Sequence, residues 1–264
     1  MTRPTWEQRR LAFGGWAAQY DRFRPTYPTS AVSWLVGGPA DVDGRRPLDV
    51  LDVGAGTGRL SEAVAALGHR VVAVEPDDAM RAIAERHRPG GVLAGTAESL
   101  PVGDGTQDVV VAGQAYHWFD RERALPDIAR VLRPGGVLGL VWNTRDDRLP
   151  FGAKIEAEVG GEDRRSINEG TGRPDLEPWF GPVRARRFRY EQEMDVDELV
   201  GLVASFSYVA LRPDRDEVLE RVRAIGEAHR RRVGRDRFGL PYLTRAFRAT
   251  VRRSARGRGA ARRA

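Results

Sequence analysis

Between residues 52 and 58 the sequence reads Asp52-Val53-Gly54-Ala55-Gly56-Thr57-Gly58, with glycines at alternate positions behind an aspartate. Glycine lacks a Cβ and takes positive φ at little cost, so such a loop lets a ligand come close to the backbone. The spacing departs from the dinucleotide fingerprint G-x-G-x-x-G, because the sixth position counted from Gly54 is Arg59, whose bulk would obstruct helix–strand packing. No Gly-Lys-Ser/Thr follows, which removes the nucleoside-triphosphate loop as well. Further along, His117 stands in Gln114-Ala115-Tyr116-His117-Trp118-Phe119 and Arg145 in Trp142-Asn143-Thr144-Arg145-Asp146. A histidine there serves either as a general base or as a pocket wall and orienting donor. An arginine there either grips a substrate carboxylate with its planar fork or pairs with Asp146 or Asp147. His69, His87 and His229 have no histidine or carboxylate at ligand spacing, so no metal site is expected.

These residues need a scaffold, and the apolar pattern supplies one. Leu48–Val53, Val71–Val74, Val92–Ala94, Asp108–Ala112 and Val137–Trp142 are short, rich in Val and Leu, and nearly continuous. That is the pattern of parallel strands covered on both faces. Helical stretches at Leu60–Leu67, Asp78–Arg86 and Glu122–Leu132 alternate with them, and Pro134-Gly135-Gly136 ends the last. The β-α-β-α order predicts an α/β doubly wound sheet with right-handed crossovers. The glycine loop then lies at the carboxyl end of the leading strand, where such sheets bind cofactors. Beyond Trp142 the pattern predicts helices at Phe151–Glu158, Asp195–Leu211 and Asp214–Arg230 and strands at Val183–Tyr190 and Leu240–Phe247.

Taken in order, these motifs resemble the class I S-adenosylmethionine-dependent methyltransferases. Val50-Leu-Asp-Val-Gly-Ala-Gly-Thr-Gly-Arg-Leu60 resembles their glycine motif, and Glu75, after Val71–Val74, resembles the acid that holds the ribose hydroxyls. Gly95–Pro101 resembles the adenine-side loop, Asp108–Ala115 the fourth-strand motif, and Leu132–Gly136 the turn into the fifth strand. Thr96 stands where many relatives carry an acid, with Glu98 as the substitute. Phe13–Pro28 resembles the N-terminal lid of the methyltransferase type 11 group, and the segments around His117 and Trp142 resemble the subgroup near trans-aconitate and quinone-biosynthesis methyltransferases. The resemblance implies a Rossmann-like seven-stranded sheet, mostly parallel with Leu240–Phe247 inserting antiparallel as the last strand, and an N-terminal lid helix. It implies a lid over residues 1–44, a cofactor-binding core over 45–144, and a C-terminal half over 145–251 whose helices cover the acceptor, with Met194, Phe206, Tyr208 and Val209 among them. It implies S-adenosylmethionine contacts at Tyr20, Arg24, Asp52, Gly54, Ala55, Gly56, Gly58, Glu75, Pro76, Ala97, Glu98 and Gln114, with Trp118, Asn143 and Arg145 facing the acceptor. Trp118, Phe119, Trp142 and Phe151 are expected near the pocket mouth.

Composition narrows the remaining classes. There is no cysteine, which excludes disulfides, thiolate metal sites and thiol nucleophiles. No apolar run reaches the length of a membrane span and the N-terminal residues carry no apolar leader pattern, so a cytoplasmic enzyme is expected. The net charge of +6 equals the contribution of Arg252, Arg253, Arg256, Arg258, Arg262 and Arg263 in an acid-free terminal stretch, 252–264, expected to be a disordered basic tail. A specific nucleic-acid partner is therefore disfavoured, weak tail contact aside. The segment after the fourth strand also lacks the Asp/Asn-Pro-Pro-aromatic run used for base amino groups. The expected activity is methyl transfer to oxygen or carbon of a small-molecule acceptor. The alternative is a non-catalytic S-adenosylmethionine-binding or RNA-associated protein that uses the arginine tail.

Overall fold

A computed structural model describes residues 21–40, 46–87, 91–160 and 172–252. The expectations for residues 1–20, Tyr20 included, and for the tail beyond Arg252 lie outside them. The strands β1 (Asp49–Val53), β2 (Arg70–Val74), β3 (Val92–Leu93), β4 (Gln107–Gly113) and β5 (Leu132–Arg145) pair in parallel. Two long strands complete the sheet, β6 (Arg184–Met194) and β7 (Phe238–Thr250). The order is β3-β2-β1-β4-β5-β7-β6, and β7 runs antiparallel to both of its neighbours. The predicted α/β seven-stranded sheet with an antiparallel last strand is the one observed. Strand order reverses between β1 and β4, which opens a crevice at their carboxyl ends.

Alternation along the strands divides the core into layers. Val50, Val109 and Val111 pack against α1 (Thr29–Val36) and α2 (Arg59–Ala65). Leu51, Val110 and Ala112 pack on the other side against α4 (Arg121–Val131), and α3 (Asp78–His87) lies between β2 and β3 in sequence. A third cluster joins α5 (Pro150–Val159), α6 (Val196–Ala204) and α8 (Arg215–Val233) to the ends of β6 and β7 through Ile155, Leu199, Leu202, Val218 and Leu240. Among the described residues no helix is long and apolar enough to cross a membrane.

Three sequence expectations need correction. The helix expected over Asp195–Leu211 is broken: α6 ends at Ala204, and a short helix α7 (Ser207–Ala210) follows. The buried Ser205 hydroxyl donates to the Leu202 carbonyl at 2.6 Å, a local bond that competes with helix continuation. β5 is longer than Val137–Trp142 because its pairing to β4 continues through the glycine turn to Leu132. Arg252, assigned to the disordered tail, is fixed: it donates to the Phe180 carbonyl at 2.7 Å and pairs with Glu177 at 2.8 Å.

The amino ends of the central strands are fastened by one carboxylate. Asp108 accepts both Arg46 Nη atoms at 2.9 and 2.7 Å and the Asp49 amide at 2.9 Å, with Arg133 at 2.9 Å. Burial raises its pKa, but the Arg46 and Arg133 guanidinia and the Asp49 amide outweigh burial and bring it down to about 2. A depressed carboxyl contributes stability that is present above its unfolded pKa and is lost as pH falls through the folded one. Asp108→Asn is accordingly expected to cost about 2 kcal/mol near neutrality, with the difference from the parent shrinking between roughly pH 4 and pH 2. Urea unfolding across that range checks this; a penalty that stays constant with pH would contradict it.

Candidate functional site

The β1–α2 loop crosses the carboxyl ends of β1 and β2. Gly54 and Ala55 donate to the Val74 carbonyl at 2.8 and 3.2 Å, which ties the loop to β2. Gly54, Gly56 and Gly58 take φ of +68°, +59° and +89°, conformations that side chains rarely adopt. A Cβ on Gly54 would lie 2.7 Å from the Ala115 Cβ, so β-carbon-free backbone is needed where the loop passes the end of β4. Around Gly56 nothing lies within 4 Å of that position, and its backbone faces open space.

That space is a cavity of about 270 Å³. The glycine loop, Glu75–Asp77, Met80, Thr96–Glu98, Gly113–Ala115, Leu60, Trp118, Phe119 and Asn143 line it. Glu75 is 7% exposed, and its Oε2 accepts the Gly56 amide at 2.8 Å while Oε1 accepts the Asp77 amide at 2.9 Å. Burial raises the Glu75 pKa, against the pull of those two amides. Asp52 is fully buried and accepts from the Ser61 hydroxyl at 2.7 Å. Thr57 is 2% exposed and lines the cavity, and among the described residues its buried hydroxyl has no hydrogen-bond partner, which costs free energy. Gln114 holds φ of +56°, strained for a residue with a side chain, and its Nε2 donates to the Asn143 carbonyl at 2.9 Å.

A strap from the N-terminal segment borders the cavity, with Arg24, Pro25 and Tyr27 in the lining. The Thr26 carbonyl accepts from Asn143 Nδ2 at 2.9 Å and from the Tyr190 hydroxyl at 3.0 Å, and Gln192 Nε2 donates to the Phe23 carbonyl at 3.2 Å. Asn143 Oδ1 in turn accepts from Thr244 at 2.6 Å. One asparagine on β5 therefore joins the strap to the antiparallel strand β7.

Of the sequence-selected residues, Arg24, Asp52, Gly54, Ala55, Gly56, Glu75, Pro76, Ala97, Glu98, Gln114, Trp118 and Asn143 meet around this one cavity. Gly58 stands behind it as the left-handed cap of α2, and Tyr20 is outside the described residues. His117 and Arg145 are not in the lining. His117 sits on the short 3-10 turn Tyr116–Trp118, where its Nδ1 accepts from the buried Trp142 indole at 3.4 Å. Burial lowers its pKa to about 4. With Nδ1 accepting, the ring proton resides on Nε2, so the neutral ring presents a donor rather than a base.

Arg145 is corrected outright. Its guanidinium is 11% exposed and engages Glu156, 5% exposed, through Nε at 2.8 Å and Nη2 at 3.1 Å. It also donates to the Tyr208 hydroxyl at 3.2 Å. The partner is not Asp146, which pairs with Arg148 at 2.7 Å. The chain turns at Asp146–Leu149 and α5 brings Glu156 back beneath the end of β5. Trp142 and Phe151 are likewise core residues, not pocket mouth: Trp142 is fully buried and Phe151 stacks on His229 at 3.7 Å. Met194, Phe206, Tyr208 and Val209 do not line the cavity; Phe206 packs beneath the Arg24 and Arg145 guanidinia at 4.9 and 4.7 Å. Phe119, expected near the pocket mouth, is in the lining, and sequence reasoning missed Thr57, Arg59 and Met80 there. Thr57 and Arg59 were legible from their place within and directly after the glycine motif, and Met80 from the opening turn of the helix that follows Glu75.

A methyltransferase domain family matches residues 51–140. The chain is 40% identical over 244 residues to an uncharacterized methyltransferase of Mycobacterium tuberculosis, covering 91% of this chain and 96% of that one. It is 38% identical over 129 residues to a malonyl-[acyl-carrier protein] O-methyltransferase of Pectobacterium atrosepticum, covering 48% of this chain and 49% of that one. Among solved structures it resembles a provisionally assigned type II methyltransferase from Anaeromyxobacter dehalogenans, with a TM-score of 0.59 and 27% identity over 86% of this chain and 97% of that chain.

The strap rests on one small residue. A Cβ on Gly201 of α6 would fall 2.5 Å from the Phe23 ring. Gly201→Ala is expected to push Phe23 away and to raise hydrogen exchange across residues 21–27, at a global cost of about 1–3 kcal/mol. Unchanged exchange in that segment would show that the strap does not depend on this contact.

Proposed function

This chain belongs to the class I S-adenosylmethionine-dependent methyltransferases, and from that premise we propose that it transfers a methyl group to oxygen or carbon of a small-molecule acceptor held between the strap and the Trp118–Phe119 wall. The observation that carries the reading is a cavity lined by glycine backbone that is open at Gly56 and held by the Glu75 carboxylate. Acids predominate in the lining, with Asp52, Glu75, Asp77 and Glu98 against Arg24 and Arg59, and Arg59 pairs with Asp21 at 3.2 Å. Such a wall suits a cationic sulfonium and sugar hydroxyls and opposes a pyrophosphate. The residues present therefore fit the cofactor.

When bound, S-adenosylmethionine supplies a methyl group on a sulfonium that is already an excellent leaving group. What remains for the protein is alignment and exclusion of water. Glu75 would fix the ribose side, Met80, Ala97 and Glu98 would flank the adenine side, and Asp52, Gln114 and the glycine loop would hold the amino-acid side. The strap, fastened by Asn143 and Tyr190 through Thr26, would shut out solvent over the acceptor. His117 faces away from base duty because its Nδ1 is spent on Trp142. The acceptor would then arrive as its own nucleophile, as a carboxylate does, and the O-methyltransferase relative supports oxygen as the atom methylated.

Calorimetric titration with S-adenosylmethionine and its demethylated product tests the cofactor site. Glu75→Ala is expected to weaken binding roughly hundredfold, since it removes a charged acceptor. Thr57→Val is expected to leave the ligand-free protein as stable as the parent or more so. Parental affinity in the Glu75 variant would overturn the assignment. For the acceptor step, His117→Phe is expected to retain turnover within about tenfold, and the parental rate profile to lack an ionisation near pH 6.5. A loss of a hundredfold or more, with such an ionisation in the parent, would restore His117 as the base.

A further inference from the structure

The outer strand β6 opens with Arg184-Ala185-Arg186-Arg187-Phe188-Arg189, and all four arginines are exposed. Among the described residues none of them makes an ion pair shorter than 4 Å. Elsewhere many arginines are matched by acids, as Arg46, Arg70, Arg130, Arg148, Arg221 and Arg237 are, whereas here four fall within six residues of one strand. The register makes the concentration of charge greater. Arg184 stands opposite Arg248 and Arg187 opposite Arg245 across the β6–β7 ladder. Like charges directly opposite in an antiparallel pair destabilise it. Of the acids near the β6 arginines, Asp146 acts on Arg189 through space, without an ion pair to it. Asp146 holds Arg148 at 2.7 Å, and Asp147 offsets only part of the repulsion that Arg187 and Arg148 exert on Arg245.

No strand among the described residues pairs with the outer edge of β6. Side chains alternate across a strand, so Arg184 and Arg186 project from one face and Arg187 and Arg189 from the other. The parity is visible in the packing: Arg186 lies over the Phe188 ring at 5.2 Å, and Phe188 meets Trp34 of α1 on that same face. The cations therefore straddle a free backbone edge roughly 17 Å long. A second copy of the same strand would bring arginine against arginine there. We propose that the outer edge of β6, from Arg184 to Arg189, docks an extended acidic segment of a partner protein, which adds as a further strand and lays its carboxylates against the arginines on both faces. Main-chain hydrogen bonds supply the register and the alternating carboxylates supply the selectivity. The surface stands apart from the methyl-transfer cavity, so its test is independent of that activity.

The probe is a capped peptide of about nine residues, a strand's length, in a valine and threonine background with two glutamates on each face. Fluorescence anisotropy is expected to show saturable binding to the full chain, weakened at least about tenfold by Arg186→Glu with Arg187→Glu and by raising salt well above physiological strength. Arg123→Glu, an exposed charge reversal on α4, is expected to leave binding unchanged. A peptide of equal charge with prolines at its ladder-bonding positions is expected to bind at least about tenfold more weakly, because it lacks the amide donors. Equal binding by the proline peptide or by an oligouridylate of matching charge would reduce the edge to a general polyanion surface and overturn the proposal. So would absence of binding by the glutamate peptide.

Discussion

Glu75 accepts the amide of Gly56 on the β1–α2 loop and the amide of Asp77 just beyond β2, and the shape of the cleft follows from that bridge. A loop entering a helix with several amides unspent would otherwise collapse onto its own carbonyls or fill with side chain. Here it is held open by one buried carboxylate and by the Val74 carbonyl, at the point where the strand order reverses. Burial that would favour a neutral carboxyl is opposed by two amide donors, so the acid does structural work. The glycines are the counterpart of this constraint, since Gly54 passes Ala115 with no room for a Cβ.

The second half of the chain is joined to this cleft through β7. Because β7 inserts antiparallel between β5 and β6, Thr244 lies beside Asn143 and Tyr190 beside Tyr242, and both Asn143 and Tyr190 reach the Thr26 carbonyl. Closure of the strap is thereby coupled to the sheet itself rather than to a surface loop. Beneath it, Arg145 and Glu156 form a buried ion pair completed by Tyr208, and Phe206 lies between the guanidinia of Arg145 and Arg24. Buried pairs of this sort add little net stability, but losing one partner strands the other charge. The arrangement backs Arg24 of the strap through Phe206, and it uses the very arginine whose chemistry alone would suit a substrate.

The contrast between this paired interior and the unpaired edge of β6 is informative about the molecule as a whole. Acids are spent on arginines at the strand ends and along α8, yet the first half of β6 carries none. Charged edge strands resist self-association, and the same charges select what else can pair there.

The local sequence determined the sheet and its glycine loop, because those depend on short-range rules: apolar runs buried on both faces, helical periodicity, and glycine where φ must be positive. Hence the positions of β1, β2 and β4, the loop at Gly54–Gly58 and Glu75 at the end of β2 were all legible before any coordinates. The tertiary structure decided what depends on segments distant in sequence. Arg145 finds Glu156 rather than its acidic neighbours because α5 folds back beneath β5, and His117 is turned from solvent by Trp142 of a strand that follows it by a helix. The roles of Asn143 and Tyr190 as fasteners rest on contacts with Thr26 across more than a hundred residues, and no local pattern encodes a partner at that distance.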